Sequence, residues 1–178
     1  MALKEEYMDI KDGIGWDGVL SFGIVDESLI NQIGLENFLK CVKDGKLKWK
    51  RECKQHNKVT NYSRNYIAQM LTTPVYTPWV LPSAIELGTG TGTPAATDTN
   101  LFVPVIPTLQ PCGTTQVYIS YYAQYISVWQ TTAPITGTWL EAGLFDINNN
   151  LWAHACFNLT VNSGEMLIGQ WQVNIQGN

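Results

Sequence analysis

"LWAHACFNLTVNSGEMLIGQWQVNI", residues 151–175, alternates apolar and polar side chains twice, once on each side of a turn. Leu151, Ala153, Ala155, Phe157, Leu159 and Val161 fall in phase, as do Leu167, Gly169, Trp171, Val173 and Ile175, and Asn162-Ser163-Gly164 supplies the turn. A period of two puts alternate side chains on one face, so the stretch predicts two antiparallel strands with one face on a core. Upstream, "QVYISYYAQYISVW" (116–129) repeats the alternation, with Val117, Ile119, Tyr121, Ala123 and Tyr125 on one face. "AIEL" (84–87) reads as a further strand, and "DINNN" (146–150) as a turn segment.

Moving outward, "TNYSRNYIAQMLTTP" (60–74) predicts a short helix: Asn61 or Ser63 caps it, Tyr66, Ile67, Met70 and Leu71 recur at helical spacing, and Pro74 ends it. "NFLKCVKDGKLKWKRECKQ" (37–55) reads as a basic β-hairpin around Asp44-Gly45, with Val42 opposite Leu47 and Lys40 opposite Trp49. Residues 1–34 are glycine-rich yet apolar, and either pack on a neighbouring subunit or complete the fold of their own chain. The fold class expected is mainly β: an antiparallel β-sandwich or jelly-roll-like domain over 35–178, including the hairpin 37–55, with one short helix and an N-terminal arm over 1–34.

The chain has 178 residues, a net charge of -4, 7 Trp and 8 Tyr, a composition too apolar for disorder. No stretch reads as a signal peptide or a membrane-spanning run. Cys41, Cys53, Cys112 and Cys156 lack CxxC spacing and read as structural thiols. Charge is unevenly spread: nine of the eleven basic residues lie between Lys40 and Arg64, and none follows Asn65. Such polarity favours oriented docking on an acidic surface or another copy of the chain. With only Trp49 interleaved among the lysines, nucleic acid is not expected as a partner.

"ELGTGTGTPAATDTNL" (86–101) invites reading as a phosphate loop. Thr93-Pro94 stands where a P-loop needs Lys-Ser/Thr, the third Rossmann glycine is missing, and no downstream Lys or Arg could neutralise phosphate. The glycines therefore read as turn elements, with Asp98 or the threonines bonding back to free amides. His154 and Cys156 share a strand face without an orienting third group. Cys41, Cys53 and His56 lack a fourth zinc ligand. Glu141 and Asp146, at i and i+5, project to opposite faces of a continuous strand. Trp129, Trp139, Trp152, Tyr118 and Tyr122 could present flat faces to sugars if exposed.

From about Phe38 to Ile175 the order of features resembles a family of small structural proteins of tailed bacteriophages. The family pattern VxNxGRNxIA is met by "VTNYSRNYIAQML" (59–71), with Ser63 in place of its glycine. Its ALGTGTxAPAATDTxL segment is met by "ELGTGTGTPAATDTNL", and its EAGLF strand by "LEAGLFDINNNLWAHACFNLTV" (140–161). Its terminal GDxLxIxWxIxI strand is met by "SGEMLIGQWQVNI" (163–175). The resemblance implies a non-enzymatic virion protein assembled in the host bacterial cytoplasm, foremost a capsid decoration or cement protein. The alternatives are a tail, neck, baseplate or short fibre subunit, and a carbohydrate-binding host-attachment module. No catalytic residue, cofactor, metal, small-molecule substrate or membrane is expected; the partners are the major capsid protein or other virion proteins and further copies of the chain. Trp16 and Phe22 are the expected apolar anchors of the arm, and Lys46, Lys48 and Lys50 the complementary charge.

Overall fold

A computed structural model describes residues 15–72, 80–106, 108–112, 122–129 and 135–176. In chain order the elements are β1 (Gly15–Asp26), α1 (Ser28–Ile33), α2 (Leu35–Lys43), β2 (Arg51–His56), β3 (Lys58–Val59), α3 (Asn61–Thr72), β4 (Pro82–Gly88), β5 (Gln110–Pro111), β6 (Tyr122–Trp129), β7 (Gly137–Asp146), β8 (Leu151–Val161) and β9 (Glu165–Gln176). The protein is mainly β and sandwich-like, with two antiparallel sheets ordered β2-β1-β9-β6 and β3-β8-β7-β4-β5. No described helix is long and apolar enough to cross a membrane.

Alternation builds the core between the sheets. Leu20, Phe22 and Ile24 of β1 and Leu167 and Trp171 of β9 face Ala153, Ala155 and Phe157 of β8, and the Phe22 and Phe157 rings meet at 4.5 Å. Residues one position out of phase, Val25, Ile126, Met166 and Ile168, lie on the outer face of the four-stranded sheet, where Phe38 and Val42 of α2 cover them. On the far side, α3 and residues 89–103 cover the outer face of the five-stranded sheet. Tyr62 and Tyr66 of α3 set their rings edge-on to Trp152.

Three expectations are corrected. The basic hairpin 37–55 is a helix, a loop and a strand. Phe38 and Val42, at i and i+4, form the buried stripe of α2, and Asp44-Gly45 ends that helix instead of turning a hairpin. Gly45 has φ 64°, its N–H donates to Val42 O at 3.2 Å, and Lys46 N–H donates to Cys41 O at 2.9 Å, the paired bonds of a Schellman cap. The domain boundary at residue 34 also falls. β1 runs between β2 and β9, with all its twelve residues in register with β9 from Gly15↔Gln176 to Asp26↔Glu165. Residues 15–26 are thus an interior strand and not an arm, and residues 1–14 lie outside the described residues. Finally, three helices stand among the described residues where one was expected; α3 matches the expected helix, but Thr60 precedes it as the cap, its Oγ1 accepting Ser63 N–H at 3.4 Å.

Of the expected 116–129 strand, only Tyr122–Trp129 lies within the described residues. Leu151 departs from its expected phase and packs with Leu101 and Phe145, beside a register shift between Leu144 and Phe145.

Candidate functional site

β8 places Trp152, His154 and Cys156 on its outer face, two residues apart, and β7 places Glu141 opposite Cys156. Above them, residues 89–103 leave the end of β4 and return along it: Thr89 N–H donates to Val103 O and Val105 N–H to Leu87 O. Asp98 is fixed in this loop by accepting Ala95 N–H at 2.8 Å.

These elements converge on one buried cluster. The His154 ring, with no exposed surface, has Nδ1 2.8 Å from Asp98 Oδ2 and Nε2 2.9 Å from Glu141 Oε2. Glu141 is also fully buried, and three backbone amides donate to its carboxylate: Gly90 at 2.9 Å and Val103 at 2.7 Å to Oε1, and Phe102 at 2.9 Å to Oε2. The Phe102 ring closes the top, 4.7 Å from the imidazole. Both ring nitrogens are thus spent on carboxyl groups, and the imidazole is clamped between β7 and the 89–103 loop.

Glycine is required where the loop meets the carboxylate. A Cβ on Gly90 would stand 2.4 Å from Glu141 Oε1, and one on Gly88 2.5 Å from the same atom. Gly90 of the glycine-threonine segment, with Phe102 and Val103 just beyond it, therefore forms a cradle of backbone amides, and the carboxylate it holds is the protein's own Glu141. Cys156 lies beside the cluster; burial and the Glu141 carboxylate push its thiol up, outweighing the Gly92 amide that lowers it, so the protonated and poorly nucleophilic form is favoured.

A second network ties α3 to the β7–β8 turn. Asp146 Oδ2 accepts from Tyr62 OH at 3.0 Å and Trp152 Nε1 at 3.1 Å, while Oδ1 accepts the amides of Asn148 and Asn150. Burial pushes the Asp146 carboxyl up, but the bonds from Asn150, Trp152 and Tyr62 together outweigh it and hold it below the usual carboxylate value. The Tyr62 phenol is pushed up to about 12 by burial and by that same carboxylate. Glu141 and Asp146 thus belong to two separate networks, each fixing its own loop, and do not flank a common cleft.

The expected anchor Phe22 is in the core at 1% exposure, so its anchoring role is overturned: alternation points it at Phe157. Trp16 pairs by backbone with Ile175, and its side chain lies outside the described ones. Lys46 bridges Asp44 at 2.9 Å, and Lys50 bridges Asp26 and Glu165 at 2.9 and 3.0 Å; Lys48 is exposed and makes no ion pair among the described residues. Trp129, Trp139 and Trp152 are buried and present no face to a sugar; Tyr118 and the Tyr122 side chain lie outside the described positions. Among the described residues no group of three His, Cys, Asp or Glu could hold a metal ion, Cys41, Cys53 and His56 included.

Sequence reasoning missed the Asp98–His154–Glu141 cluster. The signal the sequence offers is weak: His154 is the one basic side chain beyond Asn65, in a stretch that holds five carboxylates. No protein-family model, curated protein or solved structure matches the chain.

Proposed function

We propose that this chain is a non-enzymatic structural protein of a tailed-bacteriophage virion, a capsid decoration or cement protein that bridges capsid subunits. The observation that carries the reading is an apolar, uncharged ridge along the edge of the five-stranded sheet. Phe102, Val103, Ile106 and Leu109 are exposed there, Ile106 by 87%. Pro104 bridges to Gly88 and Pro111 pairs with Ala84, and neither can donate to an added strand. The ridge is therefore suited to packing by side chains against a neighbouring subunit and not to strand addition.

Its surroundings fit a protein partner. Beyond Arg64 the chain has five ionisable acids: Asp98, Glu141, Asp146 and Glu165 are turned inward into networks, and Glu86 is half-buried. The surface contributed by residues beyond Arg64 is nearly free of charge, which lets a neighbouring subunit approach the ridge without desolvating ions. In the stretches that resemble the phage family, Asp98, Glu141 and His154 hold residues 89–103 in place behind the ridge. Repeated copies would sum modest contacts into a stable shell.

The test is the copy number of the chain in purified virions, measured by quantitative mass spectrometry against the major capsid protein. Hundreds of copies are expected for a decoration protein. Tens or fewer would refute that role and place the chain in the tail, neck, baseplate or fibres.

A further inference from the structure

Of the tryptophans whose side chains are described, Trp129, Trp139, Trp152 and Trp171 are buried, and Trp49 alone is half-exposed. It lies on the outer face of the four-stranded sheet with its benzo ring against Gly23, where an added Cβ would come 2.1 Å from Cε3. The missing side chain at 23 lets the indole lie flat on the backbone of β1. A cleft of about 330 Å³ opens on each side of it.

The cleft over β2, β1 and β9 is built by strand register. Ser21 is opposite both Lys54 and Gln170, and Gly23 is opposite Glu52, so Ser21, Glu52, Lys54 and Gln170 share one face. Their hydrogen-bonding capacity is largely unspent. Among the described residues nothing pairs with the Ser21, Glu52 or Lys54 side chains, and Gln170 uses only its Nε2, toward Val42 O at 3.3 Å. The cleft therefore offers a hydroxyl, a carboxylate, an ammonium and an amide oxygen beside an aromatic wall. Across the indole, the second cleft adds Ser28, Gln32, Lys48 and the Asp26–Lys50 ion pair over an apolar base of Val25 and Leu29.

We infer that this is a binding site for a neutral saccharide. Sugar hydroxyls donate and accept at once, which matches the mixed donor and acceptor set, and the C–H face of a pyranose suits an indole. Glu52 and Lys54 side by side oppose any ligand of strong single charge, an acidic peptide included. Each cleft lies at the small end of ligand pockets, which span about 300–1,000 Å³, so one cleft takes one sugar unit and the pair spans a short linear oligosaccharide across Trp49. The site is independent of the virion reading.

The test is saturation-transfer NMR on the full chain with glucose, galactose, rhamnose and N-acetylglucosamine and their linked dimers, each at about 10 mM, enough to populate a site of about 1 mM affinity. At least one neutral sugar is expected to bind, with its dimer binding more tightly. Trp49→Ala is expected to weaken that binding at least tenfold. Glu52→Gln with Lys54→Met, two exposed substitutions that leave the core untouched, is expected to weaken it likewise while the thermal midpoint stays unchanged. No transfer from any sugar in the panel would overturn the inference. So would undiminished binding to the double variant, or binding of hexaglutamate in preference to every neutral sugar.

Discussion

Replacing Glu141 with Gln tests whether the buried cluster holds residues 89–103 in place. The Gln carbonyl can keep the amides of Gly90 and Val103, but the amide nitrogen then faces Phe102 N–H and His154 Nε2, both placed to donate to the former carboxylate. A ring nitrogen of a neutral imidazole can accept from the Gln amide, whereas Phe102 N–H can only donate. An orphaned buried donor costs about 1–3 kcal/mol. The three surviving contacts change from charge-assisted to neutral, each losing about 1 kcal/mol. No longer burying a carboxylate charge returns part of that sum, leaving a net loss of about 3 kcal/mol, a sizeable share of the roughly 5–15 kcal/mol that holds a domain folded. Urea unfolding followed by tryptophan fluorescence measures the loss, and hydrogen exchange should show the amides of Gly90, Phe102 and Val103 deprotected ahead of the strands. A loss below about 0.5 kcal/mol, the size expected of an ordinary surface substitution, would refute the reasoning.

Gly90→Ala should lower the thermal midpoint, because its Cβ would also stand 2.8 Å from Val103 N and neither the backbone nor the buried carboxylate can yield cheaply. Phe22→Ala should cost about 3–5 kcal/mol by urea titration, as a core residue does; a near-neutral result would restore the anchoring role. Acid should destabilise the fold through Asp146 and Glu165. Burial raises the Glu165 carboxyl, but Asn162 N–H, Lys50 and Arg51 together bring it below its ordinary value, as Asp146's partners do for Asp146. A carboxyl lowered on folding stabilises above its unfolded pKa and loses that contribution as pH falls through the folded value, so the melting temperature should drop below about pH 4 and the drop should shrink in Asp146→Asn.

The strands β6, β8 and β9 were legible because their alternation is local, whereas β4 and β7, buried on both faces, carry no such alternation and stood out only as AIEL and EAGLF. α2 was not legible. Phe38, Val42 and the Asp44-Gly45 pair suit a hairpin and a capped helix alike, and what selects the helix is distant in sequence: Val25, Ile126, Met166 and Ile168 form an apolar outer sheet face that a stripe spaced at i and i+4 covers well. β1 was obscured by its glycines, which read as irregular chain. One of them, Gly23, is where Trp49 lies against the strand, an approach made by a residue 26 positions away that no local pattern announces. The buried cluster was half visible: the glycine-threonine segment and the EAGLF strand each stood out, but nothing in either showed that Glu141 of one accepts from Gly90 of the other and from Phe102 and Val103 just beyond it.

That pairing separates what the motifs do from what the surface does. If the cluster is a brace and the ridge beside it the contact, then Ile106→Asp and Glu141→Gln must behave oppositely. Ile106 is 87% exposed, so a carboxylate there meets water and should shift unfolding by no more than about 0.5 kcal/mol. The same carboxylate placed in an apolar interface is buried without a partner, at a cost of several kcal/mol, and should strip the protein from particles during assembly. Glu141→Gln should instead lower stability and, once the sample is held at a temperature where the variant is folded, still incorporate. Incorporation measured for both variants beside their melting curves settles the matter. An Ile106→Asp chain that melts like the parent and still incorporates normally would remove the ridge from the assembly contact.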